Sequence, residues 1–175
     1  VQSSNVVVQD CFFEFLRVAH KASIVAASSQ AIVDNIEVND ASLGVHISGD
    51  SSIGNVGSDI TMINSRLLGV SIAGVLVNWT EESLVAHNEF DHNEIGVSVD
   101  TREAGGITGL TVEHNVMNWN YIGVHFMGNS GSSIIDNVTR GGWRGIYLDT
   151  QMGCPSTGYD PTCLYASGNL VSGNT

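Results

Sequence analysis

The sequence predicts an all-β solenoid of about six to seven coils, built from short parallel strands. The first reason is a repeated segment that reads apolar residue, two spacers, asparagine, short polar turn and then Gly-apolar-x-apolar. Clear copies begin at Ile32, Leu84, Thr111 and Ile134, and a weaker copy begins at Thr61. The second reason is the spacing of the marker residue of each copy. The markers are separated by 24, 29, 24, 27, 22 and 37 residues, at Cys11, Asn35, Asn64, Asn88, Asn115, Asn137 and Asn174.

These intervals are too long for a hairpin and too irregular for heptads, and they suit one coil of a strand-turn-strand solenoid. Within the Gly-apolar-x-apolar strand the two apolar residues alternate with an outward residue, so we expect them to point into the core. The expected inward pairs are Val45 and Ile47, Val75 and Val77, Val97 and Val99, Val124 and Phe126, and Ile146 and Leu148. Strands stacked coil on coil run parallel and lie about 4.8 Å apart.

Two further residue types mark the corners of each coil. A glycine opens each of these strands, where we expect a corner conformation that a side chain would resist; the five are Gly44, Gly74, Gly96, Gly123 and Gly145. The marker asparagines fall at the other corner, where an amide both donates and accepts hydrogen bonds along the stack. We therefore interpret them as a structural ladder.

One segment and the cysteines leave alternatives open. Residues Cys11 to Ala27 also carry apolar residues at helical spacing, which makes a short capping helix the alternative to strands there. Cys154 and Cys163 lie in one loop with both prolines, and a local disulfide between them is predicted. Cys11 is left as a buried free thiol. This pattern favours an oxidising, extracellular or cell-surface setting.

Composition excludes two classes of partner. The 175 residues carry 18 acidic against 6 basic side chains, a formal charge of -12, which repels nucleic acid and anionic membrane surfaces. The sequence lacks an apolar run long enough for membrane insertion. We expect a single domain over 1–175 that is a segment of a longer solenoid. Other β-helix coils, from a longer chain or an oligomer, are expected at its ends.

The repeat resembles the right-handed parallel β-helix of the pectate-lyase-like superfamily, with its asparagine-containing coils. The resemblance covers the chain from about Asn5 to Asn174. It implies the fold, and it implies a function among polysaccharide lyases, glycosidases, uronate epimerases, phage tailspikes and surface adhesins. Fold alone does not choose among these. The epimerase-like Tyr-Gly-x-Asp-Pro-His run and the paired Asp and His-Gly of pectin hydrolases are absent from this sequence.

Long insertions follow the Gly-apolar-x-apolar strand after Ile47, Val99 and Leu148, so they build a wall beside one face. The outward positions of that strand line the face. In stacked order they form two columns, His46, Leu76, Ser98, His125 and Tyr147, then Ser48, Asn78, Asp100, Met127 and Asp149.

These columns supply the candidate catalytic residues His125, Tyr147, Asp149, Asp100 and Arg144. Removing the proton beside a uronate carboxylate needs a base that titrates near neutral pH, a proton donor and a cation for the carboxylate. His125 is the expected base, Tyr147 the acid, and Arg144 or Arg102 the cation. The residue types resemble the His/Tyr/Asp/Arg sites of uronate lyases and epimerases. An Asp100–Asp149 pair could instead serve an inverting glycoside hydrolase.

The expected substrate-binding residues are His46, Arg102, Trp143, Trp119 and Tyr121, of which the aromatic ones can stack on sugar rings. The DHNE run at Asp91 to Glu94, with His87 and His114, is interpreted as turn sequence, because it lacks the close spacing of transition-metal ligands. The cofactor expectation is none or Ca²⁺, with Asp100, Glu103 and Asp149 as its oxygen ligands.

The sequence therefore predicts an extracellular carbohydrate-acting β-helix protein, with lyase or epimerase action on an acidic polysaccharide as the specific hypothesis. Two alternatives stay open: a non-catalytic structural or adhesive surface or fibre β-helix, and an inverting glycoside hydrolase. A polysaccharide is the expected partner under the enzymatic hypotheses.

Overall fold

The computed structural model describes residues 6–14, 22–26, 30–49, 56–100, 109–127, 131–149 and 170–175. Arg102, Glu103, the Cys154–Cys163 pair and most of the three insertions lie outside these ranges. Within the described ranges, the chain forms no helix with the length and apolar character that a membrane crossing requires.

The described residues form short strands throughout. In chain order they are β1 (Val7–Gln9), β2 (Phe12–Glu14), β3 (Ala22–Ala26), β4 (Ile32–Asp34), β5 (Glu37–Asn39), β6 (Leu43–Ser48), β7 (Gly57–Ser58), β8 (Thr61–Ile63), β9 (Arg66–Leu68), β10 (Ala73–Asn78), β11 (Thr80–Glu81), β12 (Leu84–Ala86), β13 (Glu89–Asp91), β14 (Ile95–Asp100), β15 (Thr111–Glu113), β16 (Val116–Asn118), β17 (Ile122–Met127), β18 (Ser133–Ile135), β19 (Val138–Arg140), β20 (Arg144–Asp149) and β21 (Leu170–Ser172). The described part of the segment from Cys11 to Ala27 forms strands β2 and β3 and contains no helix.

Three sheets run along the solenoid. Sheet 1 contains β1, β4, β8, β12, β15, β18 and β21; sheet 2 contains β2, β5, β9, β13, β16 and β19; sheet 3 contains β3, β6, β10, β14, β17 and β20; and β7 pairs with β11. Every pairing between described strands is parallel. The predicted all-β, parallel β-helix fold is confirmed.

The core contains the inward residues of sheet 3 as predicted. Eight of them are 0% exposed: Val45, Ile47, Val75, Val77, Val97, Val99, Val124 and Phe126. The last pair departs from the prediction, because Ile146 is only partly buried and Leu148 is 37% exposed. Cys11 is a free thiol that is half-buried, not buried as expected, and its Sγ donates to the Gln9 carbonyl at 3.1 Å.

Two corners of each coil have the same backbone conformation. A residue with positive φ ends one strand, and the residue that follows turns toward the core. At the corner from sheet 1 to sheet 2 the positive-φ column is Asp10, Asn35, Asn64, His87, His114, Asp136 and Gly173. Asn, Asp and His tolerate this left-handed conformation better than most residues do. At the corner from sheet 2 to sheet 3 the column is Asp40, Gly69, His92, Trp119 and Gly141.

The asparagine ladder is present, with a correction to two of its members. Buried Asn88, Asn115 and Asn137 stack in line with Asn174. The amide oxygens of Asn115, Asn137 and Asn174 each accept from the backbone N–H and the amide of the asparagine before them, at 2.9–3.1 Å. The Asn88 oxygen accepts from the Ser65 backbone N–H at 2.9 Å. Asn35 and Asn64 do not belong to this ladder. They occupy the exposed left-handed corner one residue earlier, and Ile36 and Ser65 take the ladder position.

A second ladder lies at the corner from sheet 2 to sheet 3. The Asn93 oxygen accepts from the Val70 N–H at 2.8 Å, and the Asn120 oxygen accepts from the Asn93 N–H at 2.9 Å. Their amides donate to the carbonyls of Leu67 and Phe90. Both asparagines are buried, at 3% exposure, so this ladder is also structural.

The glycines that open the strands of sheet 3 are explained by space and not by backbone conformation, which corrects the expectation. Gly44, Gly74, Gly96 and Gly123 are absent from the positive-φ residues. A Cβ on Gly44 would lie 2.3 Å from the Gly74 carbonyl oxygen, and one on Gly96 would lie 2.6 Å from that of Gly123. The close approach of neighbouring coils therefore requires a residue without a side chain.

Candidate functional site

The outer face of sheet 3 brings His125 and Tyr147 together. The register pairs His125 of β17 with Tyr147 of β20, and the columns of outward residues follow the order expected from the sequence. The two rings are stacked with centroids 4.8 Å apart and an interplanar angle of 11°. This spacing equals that of adjacent parallel strands, so the stack follows directly from the register.

Arg144 joins this pair to a second group of aromatic residues. Its guanidinium carbon lies 3.9 Å from the ring centroid of Tyr147 and 3.8 Å from that of Trp143. Trp143 in turn stacks on Tyr121, with centroids 5.0 Å apart. Two rings therefore contact the guanidinium, an arrangement that fixes its plane through cation–π attraction and leaves its in-plane N–H groups as donors.

Two carboxylates lie on either side of the His125 strand. Asp100 of β14 and Asp149 of β20 both pair with Met127 of β17, one strand to each side. Two strand spacings place them roughly 10 Å apart. Asp100 is only 8% exposed although it faces outward, and Asp149 is half-buried.

Burial lowers the pKa of His125 below its ordinary value, and this is the largest effect on the ring. The nearby Asp149 and Asp100 carboxylates act in the opposite direction, and the Arg144 guanidinium lowers the pKa further. The net result is an imidazole that is neutral at neutral pH. Among the described residues neither ring nitrogen has a hydrogen-bond partner, although both are buried. Buried polar atoms are normally paired, so an unpartnered imidazole points to a ligand-binding role.

His46 belongs to the same column but not to the same cluster. It lies three strands from His125, roughly 14 Å away, and its Nε2 is hydrogen-bonded to the Asn78 amide oxygen at 2.9 Å. Burial lowers the pKa of His46, and this hydrogen bond partly offsets the effect. Its predicted role in substrate binding therefore applies to a separate part of the face.

An open groove lies beside the catalytic candidates, at the corner from sheet 2 to sheet 3. Its volume is about 600 Å³, and its lining includes His92, Glu94, Trp119, Tyr121 and Trp143. His92 stacks on Trp119 with centroids 6.5 Å apart, so this stack and the Tyr121–Trp143 stack line the same groove. The three residues expected to contact sugar are exposed here, Trp119 at 64%, Trp143 at 56% and Tyr121 at 47%.

Sequence reasoning does not single out His92 and Glu94, because the DHNE run occupies the polar turn that every coil possesses. The signal was the 27-residue spacing from His92 to Trp119, which equals the spacing from Asn88 to Asn115 and places both residues in one corner column. The Nδ1 of His92 lies 2.6 Å from the Asp91 carboxylate.

The calcium expectation stays a prediction. Asp100 and Asp149 flank the same strand, while Glu103 and the candidate cation Arg102 lie outside the described residues. Within the described ranges, His, Cys, Asp and Glu side chains form no group of three or more that could hold a metal ion.

Stacked parallel coils, two asparagine ladders and a histidine–aromatic face define a parallel β-helix protein with one concentrated candidate site. The chain belongs to the family described as periplasmic copper-binding protein (NosD), whose model matches residues 58–175.

Comparison with curated proteins gives no match. Among solved structures the chain is similar to the A-module of the mannuronan C-5 epimerase AlgE6 of Azotobacter vinelandii, at 17% sequence identity and a TM-score of 0.37. The comparison covers 99% of this chain and 58% of that module, so the chain spans little more than half of the module's length.

Proposed function

We propose that the protein acts on a carbohydrate outside the cytoplasm, and that it removes the C5 proton of a uronate residue at His125. The observation that carries the proposal is His125, whose buried ring nitrogens have no hydrogen-bond partner among the described residues and whose ring stacks on Tyr147, which also contacts the Arg144 guanidinium. The description of the family as periplasmic supports a location outside the cytoplasm.

Each group has a definite part in the reaction. A neutral His125 nitrogen takes the C5 proton, the C4–C5 double bond forms, and the bond from C4 to the glycosidic oxygen breaks. The Tyr147 hydroxyl donates a proton to that leaving oxygen. Arg144 binds the uronate carboxylate through its N–H groups and stabilises the negative charge that develops on it. The lowered pKa of His125 keeps the base unprotonated at neutral pH.

The stacking geometry supports elimination over epimerisation. Epimerisation needs proton removal and proton delivery on opposite faces of the sugar. The rings of His125 and Tyr147 are parallel and 4.8 Å apart, which is too close for a sugar ring to lie between them. Both side chains therefore reach a substrate from the same side, as an elimination with removal and departure on one face requires.

The net charge of the chain opposes an acidic substrate, and the site offsets this only locally. Arg144 lies at the start of β20 and Asp149 at its end, and Arg144, Asp100 and Asp149 all affect the pKa of His125. A Ca²⁺ ion on these carboxylates, as the sequence predicts, would reduce the repulsion and bridge to the uronate. Activity is therefore to be measured with calcium and with a chelator.

The described residues do not fit the copper centre that the family name implies. Copper favours imidazole and thiolate ligands in sets of three or more. The stacked, exposed pair His87 and His114, with ring centroids 5.2 Å apart, supplies two imidazoles, and the described residues bring no group of three donors together. The proposal contains no step through copper.

A structural or adhesive role is the second candidate function, because apolar side chains are exposed on the first coils of the solenoid. Val7 is 57% exposed, Phe12 is 58% exposed and Ile32 is 40% exposed, on the outer sides of β1, β2 and β4. Such a surface fits assembly with other chains. The inverting hydrolase receives less support, since roughly 10 Å between Asp100 and Asp149 slightly exceeds the range of inverting pairs.

The test is an elimination assay. Polygalacturonate, polymannuronate, polyguluronate and glucuronate-containing polymers are incubated with the native protein, and the ultraviolet absorbance of the unsaturated product is followed with calcium and with chelator. We expect one polymer to yield product, and we expect His125→Gln to abolish the reaction while His87→Asn retains it. No product from any of these polymers, or equal rates in His125→Gln, would remove the proposal in favour of the structural role.

A further inference from the structure

We infer that the groove at the corner from sheet 2 to sheet 3 binds an uncharged sugar residue, and that Asp91, His92 and Glu94 select it. If the proposed function holds, the substrate is then a mixed polysaccharide, with the uronate at Arg144 and an uncharged sugar in the groove. The groove binding itself does not depend on any reaction at His125.

The first step is the shape and surface of the groove. A sugar ring has an apolar face of C–H groups and an edge of hydroxyl groups, and it needs an aromatic face together with polar acceptors. Trp119 and the Tyr121–Trp143 stack supply exposed aromatic faces to one groove of about 600 Å³. Gly69 and Gly142 also line the groove.

The second step is the orientation of His92. An ionised carboxylate only accepts hydrogen bonds, so the 2.6 Å contact with Asp91 requires that Nδ1 of His92 carries the proton. The other ring nitrogen, Nε2, remains a hydrogen-bonding group of His92. Glu94 lines the same groove and its carboxylate accepts hydrogen bonds. Sugar hydroxyls both donate and accept, so they fit both groups.

The third step is charge. Glu94 lies in the groove and Asp91 lies next to it, and no Lys or Arg is among the described residues that line it. A uronate carboxylate would meet these two negative groups, whereas an uncharged sugar presents only hydroxyls to them. Arg144 lies at the border between the groove and the His125–Tyr147 stack, because its guanidinium contacts the rings of both Trp143 and Tyr147. The acidic groups lie on the groove side, so the groove favours the uncharged sugar.

The fourth step is distance. Tyr121 directly precedes β17 and lies four residues before His125, which corresponds to about 13 Å of extended backbone. A sugar in the groove is therefore more than one ring away from the reacting uronate. Binding at such a distance contributes to affinity for the substrate and the transition state alike, so it changes KM more than kcat.

The experiment measures binding of cellohexaose, mannohexaose and xylohexaose, as uncharged probes, and of a galacturonate hexamer, by calorimetry and tryptophan fluorescence. Trp119→Asn and His92→Asn remove the groove contacts, and asparagine tolerates the positive φ of both positions. The matched controls are His114→Asn and His87→Asn, which change the left-handed corner residues on the other side of the same two coils.

We expect at least one uncharged probe to bind, Trp119→Asn to weaken it about tenfold and His92→Asn to weaken it about fivefold, with both controls unchanged. The inference is overturned if no uncharged probe binds, if the controls weaken binding equally, or if the galacturonate hexamer binds in a Trp119-dependent way. Trp119-dependent binding without any elimination would leave the groove in place and remove the proposed reaction. Elimination that depends on His125, without binding of any uncharged probe, would keep the proposed reaction and remove the inference about the groove.

Discussion

The amide oxygen of Asn115 accepts two hydrogen bonds from Asn88, one from its backbone N–H at 3.0 Å and one from its side-chain amide at 3.1 Å. The Asn115 amide in turn donates to the Val85 carbonyl and to Asn137. One side chain at 0% exposure therefore connects three coils.

We expect Asn115→Ala to lower the free energy of unfolding by about 3 kcal/mol or more, because it leaves several buried donors and acceptors without partners. Urea denaturation followed by circular dichroism measures the change. The control is Asn35→Gly, at an exposed left-handed corner, which should cost less than about 1 kcal/mol. Similar losses in the two variants would contradict the assignment of Asn115 to the ladder and Asn35 to the corner.

We expect Gly96→Ala to destabilise the protein by about 2 kcal/mol, because the new Cβ would lie 2.6 Å from the Gly123 carbonyl oxygen. Gly131→Ala is the comparison, since its φ is +64 and a Cβ there meets nothing within 4 Å. That substitution should cost only about 1 kcal/mol of backbone strain. Thermal unfolding of both variants separates the two effects, and a larger loss in Gly131→Ala would show that conformation matters more than space.

The pKa shifts predict how stability depends on pH. Burial lowers the pKa of His125 and of His46 in the folded protein. At a pH between the lowered pKa of each histidine and its ordinary pKa of about 6.5, the unfolded chain therefore binds more protons than the folded protein. The contribution of these histidines to the free energy of unfolding should therefore be fully present above a pH of about 6.5 and should decrease as the pH falls below it. Replacing both histidines by glutamine should flatten that decrease in a series of urea titrations. An equally steep decrease in the double variant would place its origin elsewhere.

The charges around His125 predict a further shift. Asp149 is the largest of the effects that raise its pKa, so Asp149→Asn should lower the titration midpoint of the His125 ring. Nuclear magnetic resonance of the ring protons measures this midpoint directly, with or without turnover. A midpoint that rises or does not move in Asp149→Asn would show that the carboxylate does not act on the imidazole as inferred.

Loss of the Tyr147 hydroxyl should affect catalysis more than binding. Tyr147→Phe retains the ring that stacks on His125 and contacts Arg144, and it removes only the proton donor. We expect kcat for elimination to fall about a hundredfold with KM nearly unchanged. A large rise in KM with kcat retained would instead assign Tyr147 to substrate binding.

Much of the fold could be predicted from the sequence because each coil repeats the same inward residues. Val97 and Val124 share one position in the repeat and Val99 and Phe126 share another, and the structure pairs them as the repeat predicts. The same reasoning placed His125 next to Tyr147. Residues that share a position in the repeat become neighbours wherever the coils stack, whatever the length of the intervening loops.

The errors arose where one residue type serves two purposes. Asparagine is favoured both in a buried ladder and in a left-handed corner, so the sequence predicts Asn64 in the ladder, whereas the structure has Ser65 at that position. The second ladder of Asn93 and Asn120 was hidden in the turn sequence for the same reason. The contact of Arg144 with two rings depends on side-chain rotamers at a corner, which no repeat pattern specifies.

At the left-handed corners, the residues exposed to solvent are distinct from the residues that hold the fold. In the coils of β12 and β15 the side chains of His87, His92, His114 and Trp119 project into solvent, while the next residue in each case is a buried asparagine that holds the turn. The exposed corner side chains can therefore be substituted one coil at a time without changing the core. The molecule offers regularly spaced attachment points at intervals of about 4.8 Å, and its ligand preference can be redesigned on an unchanged frame.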